Sequence, residues 1–354
     1  MDVPVIDLGL WAGSDRDAVA TALDGACRTV GFMQIVGHGI PAHVVEDMLV
    51  AADAFFALPL ERKVRAAPPH AGVNRGYAAL GTEALAYSLG VDRARPDLFE
   101  AFNIGPDAVD RSDPFYAADP FGFFADNVWP SDPAALRPAL TAYFAEANRV
   151  ALCLTEVFSV ALGLGEGWFR PFVDHSTATM RVNHYEQRIG DPPAEPDQMR
   201  MGAHTDYGIV TVLYADAVPG LEIVGPDGRW HGVSPLPGAL LVNLGDLTAQ
   251  WTNDRWRSTL HRVVPPPTAA DGTSLRRSVA FFLDGNHDAR VECLPTCCSS
   301  SDPARYAPTT AGEHLIAKVL GPRTLTASRA TDTAGDRLTA VEAGHASIHG
   351  TAVQ

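Results

Sequence analysis

Lysine is almost missing from this chain of 354 residues: Lys63 and Lys318 stand against 25 arginines. Basic residues are in deficit overall, 27 against 42 acids, for a formal net charge of −15. A phosphate backbone needs a concentrated basic surface, so nucleic acid is not an expected partner. Cysteine is sparse, odd in number and clustered late: Cys27, Cys153, Cys293, Cys297 and Cys298. Such a set does not build a secreted disulfide framework, and the late trio lacks the second pair of a zinc knuckle. No apolar run reaches the roughly 18 residues that a membrane-spanning helix needs. The opening, Met1 to Asp7, has no basic stretch followed by an apolar one, so no secretory signal is expected. These absences leave the cytoplasm as the expected location.

What is present is ordinary for a globular enzyme, with 46% hydrophobic and 19% charged residues. Pro4–Leu8 reads as a strand. Ser14 with Asp17 resembles a capping box that opens a helix to about Val30. Residues 31–36 read as a buried strand, and Pro41 as the first residue of a helix reaching Phe56. Leu140, Phe144, Ala147, Val150, Ala151, Leu154, Val157, Phe158 and Ala161 recur at helical spacing, and Gly163 and Gly165 end that helix. From Thr177 the period changes to two. Strands are predicted over 209–214, 221–224, 239–244 and 276–283, a pattern that points to a sandwich or barrel. Residues 187–201 read as a loop, and the Ala-, Thr- and Gly-rich stretch beyond Pro322 as a poorly ordered tail.

His204-Thr205-Asp206 carries the chemistry. In an extended strand, residues two apart share a face, so an imidazole and a carboxylate converge there. His261 lies far enough downstream to return on another strand. Two imidazoles and a carboxylate form the facial ligand set of Fe(II) sites with open positions, and zinc is the competing metal. Arg276 and Ser278 share a face of the late strand, leaving Arg277 on the other. A guanidinium facing a barrel interior needs an anion, either a protein carboxylate or a dicarboxylate ligand such as 2-oxoglutarate. Arg181, Asn183 and Tyr185 likewise share one face, with His184 opposite. Arg181 is a candidate substrate contact or a structural ion pair.

Several segments stand in the order of a known family. They are Val3-Pro4-Val5-Ile6-Asp7-Leu8, Gly31 to Ile40, Asn183-His184-Tyr185, His204-Thr205-Asp206, Asn243-Leu244-Gly245-Asp246, Ser258 to Val263 and Arg276-x-Ser278. In these the chain resembles the 2-oxoglutarate/Fe(II)-dependent dioxygenase superfamily, in the branch similar to isopenicillin N synthase. The resemblance implies an α+β fold whose core is a double-stranded β-helix, or jelly-roll, framed by N-terminal and central helices. It implies residues 1–125 as the N-terminal segment, 126–300 as central helix and jelly-roll, and 301–354 as a C-terminal helix and flexible tail, within one structural domain. It makes His204, Asp206 and His261 the iron ligands and catalytic centre. Arg276 and Ser278 become the clamp for 2-oxoglutarate, helped by Tyr185 and Asn183. Fe(II), 2-oxoglutarate and O2 are the implied cofactors, with succinate and CO2 as co-products.

The implied substrate is a small molecule, amino-acid-derived or from secondary metabolism, that is hydroxylated, desaturated or cyclised. Asp206 speaks against a halogenating relative, which frees that metal position for halide. An oxidase of isopenicillin N synthase type, needing no 2-oxoglutarate, is the rival reading, and Gln354 is reminiscent of that enzyme's tail. A non-catalytic jelly-roll binding protein is the rival from outside enzymology.

Overall fold

The structure is a computed structural model and describes residues 1–91, 94–265, 274–327 and 334–349. Its centre is a sheet of eight strands facing a smaller sheet of four. In chain order the strands are β1 (Val5–Asp7), β2 (Phe32–Val36), β3 (Gly76–Ala78), β4 (Glu100–Ile104), β5 (Thr179–Gln187) and β6 (Met201–His204). They continue with β7 (Val210–Ala215), β8 (Leu221–Val224), β9 (Trp230–Gly232), β10 (Leu240–Leu244), β11 (His261–Val263) and β12 (Ser274–Leu283). The large sheet runs β1-β2-β10-β7-β12-β5-β4-β3, and the small one β6-β11-β8-β9. Apart from the parallel β1–β2 pair, every neighbouring pair is antiparallel. Together with the helices this is the expected α+β jelly-roll.

Helices α1 (Arg16–Thr29), α2 (Ala42–Phe56) and α3 (Leu136–Ala161) cover the outer face of the large sheet. The apolar stripe of α3 behaves as its spacing predicts, with Leu140, Ala147, Val150, Leu154, Val157 and Phe158 fully buried. They pack with Met180, Val182, Val279 and Phe281, the outward side chains of β5 and β12. Period two then forces Arg181, Asn183, Arg276 and Ser278 to the inner face, towards the small sheet. His184, on the outer side, is buried and stacks on Phe56 with ring centroids 4.6 Å apart. Arg277, also outward, pairs with Asp53 at 2.6 Å.

Two local expectations change. Helix α1 starts after Asp15, whose side chain caps nothing, so the proposed Ser14 box does not form. A capping box does open helix α5 (Ala311–Thr324), where Thr310 and Glu313 satisfy each other's backbone N–H groups. Between α3 and α5 lies the short α4 (Asp246–Trp251). The stretch expected as a disordered tail contains helix α6 (Ala334–His349). Ala334 and Leu338 of α6 are buried against Leu89 and Leu260, so apolar docking overrides an unpromising composition. Gln354 lies outside the described residues. All five cysteines are free.

Candidate metal centre

Strands β6 and β11 are neighbours in the small sheet, and their register sets His204 directly opposite His261. The chain leaves β6 at Thr205 and brings Asp206 back beneath both rings. The Asp206 Oδ1 atom lies 3.9 Å from His204 Nε2 and 3.7 Å from His261 Nε2. One ligand atom from each of the three residues falls within 4.8 Å of the others, the only such cluster among the described residues.

Each ligand atom is presented by a hydrogen bond on its far side. His204 Nδ1 meets the Gly202 carbonyl at 2.8 Å, and His261 Nδ1 meets that of Thr259 at 3.0 Å. With Nδ1–H donating there, each Nε2 lone pair is turned inward, the arrangement that metal-bound histidines use. Asp206 Oδ2 accepts from Asn243 Nδ2 at 2.6 Å and from the Thr211 hydroxyl. Asn243 and Thr211 are themselves cross-strand partners in β10 and β7. Only Oδ1 remains uncommitted. Burial and the neighbouring His261 push His204 well below its ordinary imidazole value, so it is neutral and able to donate a lone pair. Burial works to raise Asp206, but His261, His204 and the two hydrogen bonds hold it below the usual carboxylate range.

The turn between the ligands is anchored from behind. Asp246 accepts from the Thr205 hydroxyl at 3.1 Å and the Ser258 hydroxyl at 2.6 Å, and pairs with Lys318 of α5 at 3.2 Å. Its backbone N–H also bonds the Asp206 carbonyl at 2.8 Å.

One pocket runs from the triad to the inner face of the large sheet. Arg276 and Ser278 stand opposite Tyr185 and Asn183 in register. Asn183 Nδ2 donates to Ser278 Oγ at 3.3 Å, and the Arg276 guanidinium lies 5.1 Å over the Tyr185 ring. Arg276 Nε and Nη1 are buried without a hydrogen-bond partner. Arg181 also lines the pocket, donating to Asn183 at 2.9 Å and to Glu83 at 2.7 Å. All eight residues singled out in the sequence therefore meet in one cavity. His38 braces a turn at the Gly238 carbonyl instead, and His231 pairs with Asp227.

Glu83, Arg75 and Arg323 were not visible as site residues, nor was the anchoring role of Thr211 and Asn243. Asn243 sits in a family motif, which was its one available signal. The others reach the site only through long-range folding.

Two family descriptions match the chain: the non-haem dioxygenase in morphine synthesis N-terminal over residues 3–132, and the 2OG-Fe(II) oxygenase superfamily over 176–285. Validamycin A dioxygenase of Streptomyces hygroscopicus subsp. limoneus is 35% identical, covering 89% of this chain and 85% of its own. The 2-oxoglutarate-Fe(II) type oxidoreductase hxnY of Emericella nidulans is 33% identical, covering 87% and 86%. Among solved structures, a Neurospora crassa protein in complex with alpha-KG and thymine superposes with a TM-score of 0.76 at 27% identity, covering 90% and 96%. The chain belongs to the 2OG-Fe(II) oxygenase superfamily and is a 2-oxoglutarate- and Fe(II)-dependent dioxygenase, acting with O2 on a small molecule.

Proposed function

We propose that His204, Asp206 and His261 hold the iron, and that Arg276 and Ser278 grip the distal carboxylate of 2-oxoglutarate. Tyr185 supports the guanidinium from below and Asn183 orients the Ser278 hydroxyl. The observation that carries this reading is Arg276, buried in the barrel with two nitrogens, Nε and Nη1, unused and no ion pair among the described residues. A buried guanidinium in that state is a receptor for a carboxylate.

When bound, iron and 2-oxoglutarate supply the activation of O2, with succinate and CO2 as co-products. The chain's own residues do the placing. The Nδ1 and Oδ2 anchors leave three donors on one face, so the remaining positions stay open to co-substrate and oxygen. Phe32, Met201, Leu213, Leu221 and Val263 give the pocket apolar walls that exclude water from the reacting centre. The reaction is a hydroxylation, desaturation or ring formation, and the relation to an enzyme named for validamycin A supports a secondary metabolite as substrate. Residues 1–125, 126–300 and 301–354 act as one unit in this reading, since Arg75, His204 and Arg323 line one pocket. No described helix is long and apolar enough to cross a membrane. We place the enzyme in the cytoplasm, and its acidic net charge supports an activity without a nucleic-acid partner.

Anaerobic addition of Fe(II) and 2-oxoglutarate tests this through the visible charge-transfer band of the chelate. His204→Ala should abolish the band, and Arg276→Met should weaken 2-oxoglutarate binding roughly 10- to 100-fold. Iron binding with no band at all would count against Arg276 and Ser278 as the 2-oxoglutarate clamp.

A further inference from the structure

We infer that the substrate carries an anionic group, a carboxylate in the simplest case, and that Arg181 receives it with Arg323 alongside. The inference rests on the iron and 2-oxoglutarate positions proposed above and assigns the part of the pocket they leave free.

That part is lined by three arginines, Arg75, Arg181 and Arg323, around one carboxylate, Glu83. Arg75 is buried and bonds only backbone carbonyls, those of Asn74, Phe123 and Ala125. Burial and then the charge of Arg323 lower it to about 10, with Asp119 opposing them weakly. Arg323, reaching in from α5, bonds the carbonyls of Ala71 and Val73 and keeps Glu83 at 3.6 Å. Arg181 pairs with the same Glu83. Burial opposes ionisation of Glu83, but Arg181 and Arg323 win and hold it below its usual value. Glu83 is thus a single negative charge shared by two guanidiniums, with a third close by.

The nearby acids do not close the gap. Asp119 acts on Arg75 alone, and its oxygens accept the N–H groups of Phe121 and Phe124. Asp97 spends its oxygens on the N–H groups of Leu85 and Gly202, and burial raises it to about 7 against the smaller pull of Arg181. Asp284 is likewise raised by burial to about 7. Neither of these two forms an ion pair with Arg75, Arg181 or Arg323 among the described residues. Nor do the bound cofactors help. Two positive charges on iron, with Arg276 and its neighbour Arg200, already outnumber the charges of Asp206 and the dianionic 2-oxoglutarate, so these anions leave none to spare. The cationic excess stays on the substrate side, where an uncompensated buried charge is strongly disfavoured.

Arg181 is shaped to accept the missing anion. Its Nε is fixed by Asn183 and its Nη2 by Glu83, while Nη1 makes no hydrogen bond among the described residues. The guanidinium carbon sits 4.7 Å over the Phe99 ring, which further sets the plane of the fork. Arg181 lies on the same face of β5 as Asn183 and Tyr185. A carboxylate on Arg181 would therefore hold the rest of the substrate in the cavity shared with the triad.

The test titrates protein saturated anaerobically with Fe(II) and 2-oxoglutarate. The probes are short aliphatic and aryl monocarboxylic acids, each beside its primary amide, read by their shift of the chelate band. Acids should bind about tenfold or more tightly than their amides. Arg181→Gln should bring acid and amide together, whereas Arg181→Lys keeps part of the preference. Glu83→Gln frees the fork and should strengthen acid binding. No acid exceeding its amide would overturn the inference. So would Arg181→Gln and Glu83→Gln weakening acids and amides alike, the signature of a merely structural ion pair. A wild-type protein without a chelate band would count against the cofactor site alone. Equilibrium dialysis of metal-free Arg276→Met protein, whose clamp cannot capture the acids, still reads the acid-to-amide ratio and decides the anion site.

Discussion

Lys63, just beyond α2, and Arg276, in β12, are both deeply buried cations, 4% and 2% exposed. Lys63 Nζ spends its three donors on the two oxygens of Glu100, at 2.7 and 2.8 Å, and on the Phe56 carbonyl at 3.2 Å. The Tyr77 hydroxyl donates to the same carboxylate. Arg276 has an aromatic ring beneath it, and two of its nitrogens meet nothing. The first cluster is complete within the protein and serves only the fold. The second is incomplete, and what would complete it must come from outside. Burial is nearly equal, so satisfaction of donors, and not depth, separates a structural charge from a receptor.

That contrast can be broken by substitution. Lys63→Met leaves the partly buried Glu100 carboxylate facing a tyrosine, and should cost about 2–3 kcal/mol in denaturant unfolding without changing 2-oxoglutarate affinity in the folded protein. Arg276→Met removes a charge that had no partner, so its stability should stay within about 1 kcal/mol of wild type while 2-oxoglutarate binding falls. Exchanged outcomes would remove the basis for treating Arg276 as a receptor.

Asp206 lies between these extremes, with Oδ2 satisfied and Oδ1 open. Asn243→Ala takes away one of its anchors and should lower Fe(II) affinity about 10- to 100-fold, measured by metal competition. An unchanged affinity would show that Thr211 alone orients the carboxylate.

The smallest effect belongs to a partly exposed pair. His175 bonds Asp174 at 3.0 Å and Asp113 at 3.3 Å, and the Asp174 bond is the largest cause of its raised pKa. Its folded value lies above the unfolded one, so its stabilising contribution is complete below about pH 6.5 and is lost as pH rises through the folded value. The stability–pH curve of His175→Gln should lie below wild type at low pH, be flatter over that interval, and meet wild type above it.

Much of this was legible because strand and helix periods are local. The alternation at Arg181, Asn183 and Tyr185, and at Arg276 and Ser278, placed five pocket residues on their correct face before any contact was known. The stripe of α3 was equally readable. Composition misleads at the C-terminal end, where residue pattern does not. The stretch of α6 looked like a tail, yet Ala334, Leu338 and Val341 are spaced to bury one side of a helix. Local pattern is silent where partners are distant. Glu83 and Arg181 are 98 residues apart, and nothing in either neighbourhood announces the other.

The sequence by itself determined the donor set, two imidazoles and a carboxylate, although strand period does not place Asp206, because β6 ends at His204 and the following turn carries the carboxylate to the rings. Through that donor set it determined the class of chemistry. Tertiary structure decided which donors are satisfied. The register of β6 with β11 brings His261 to His204, and that of β10 with β7 brings Asn243 and Thr211 to Asp206. The packing of α5 delivers Arg323 to Glu83. A hydrogen bond requires two groups within about 3 Å, and for residues far apart in the chain only the folded packing sets that distance.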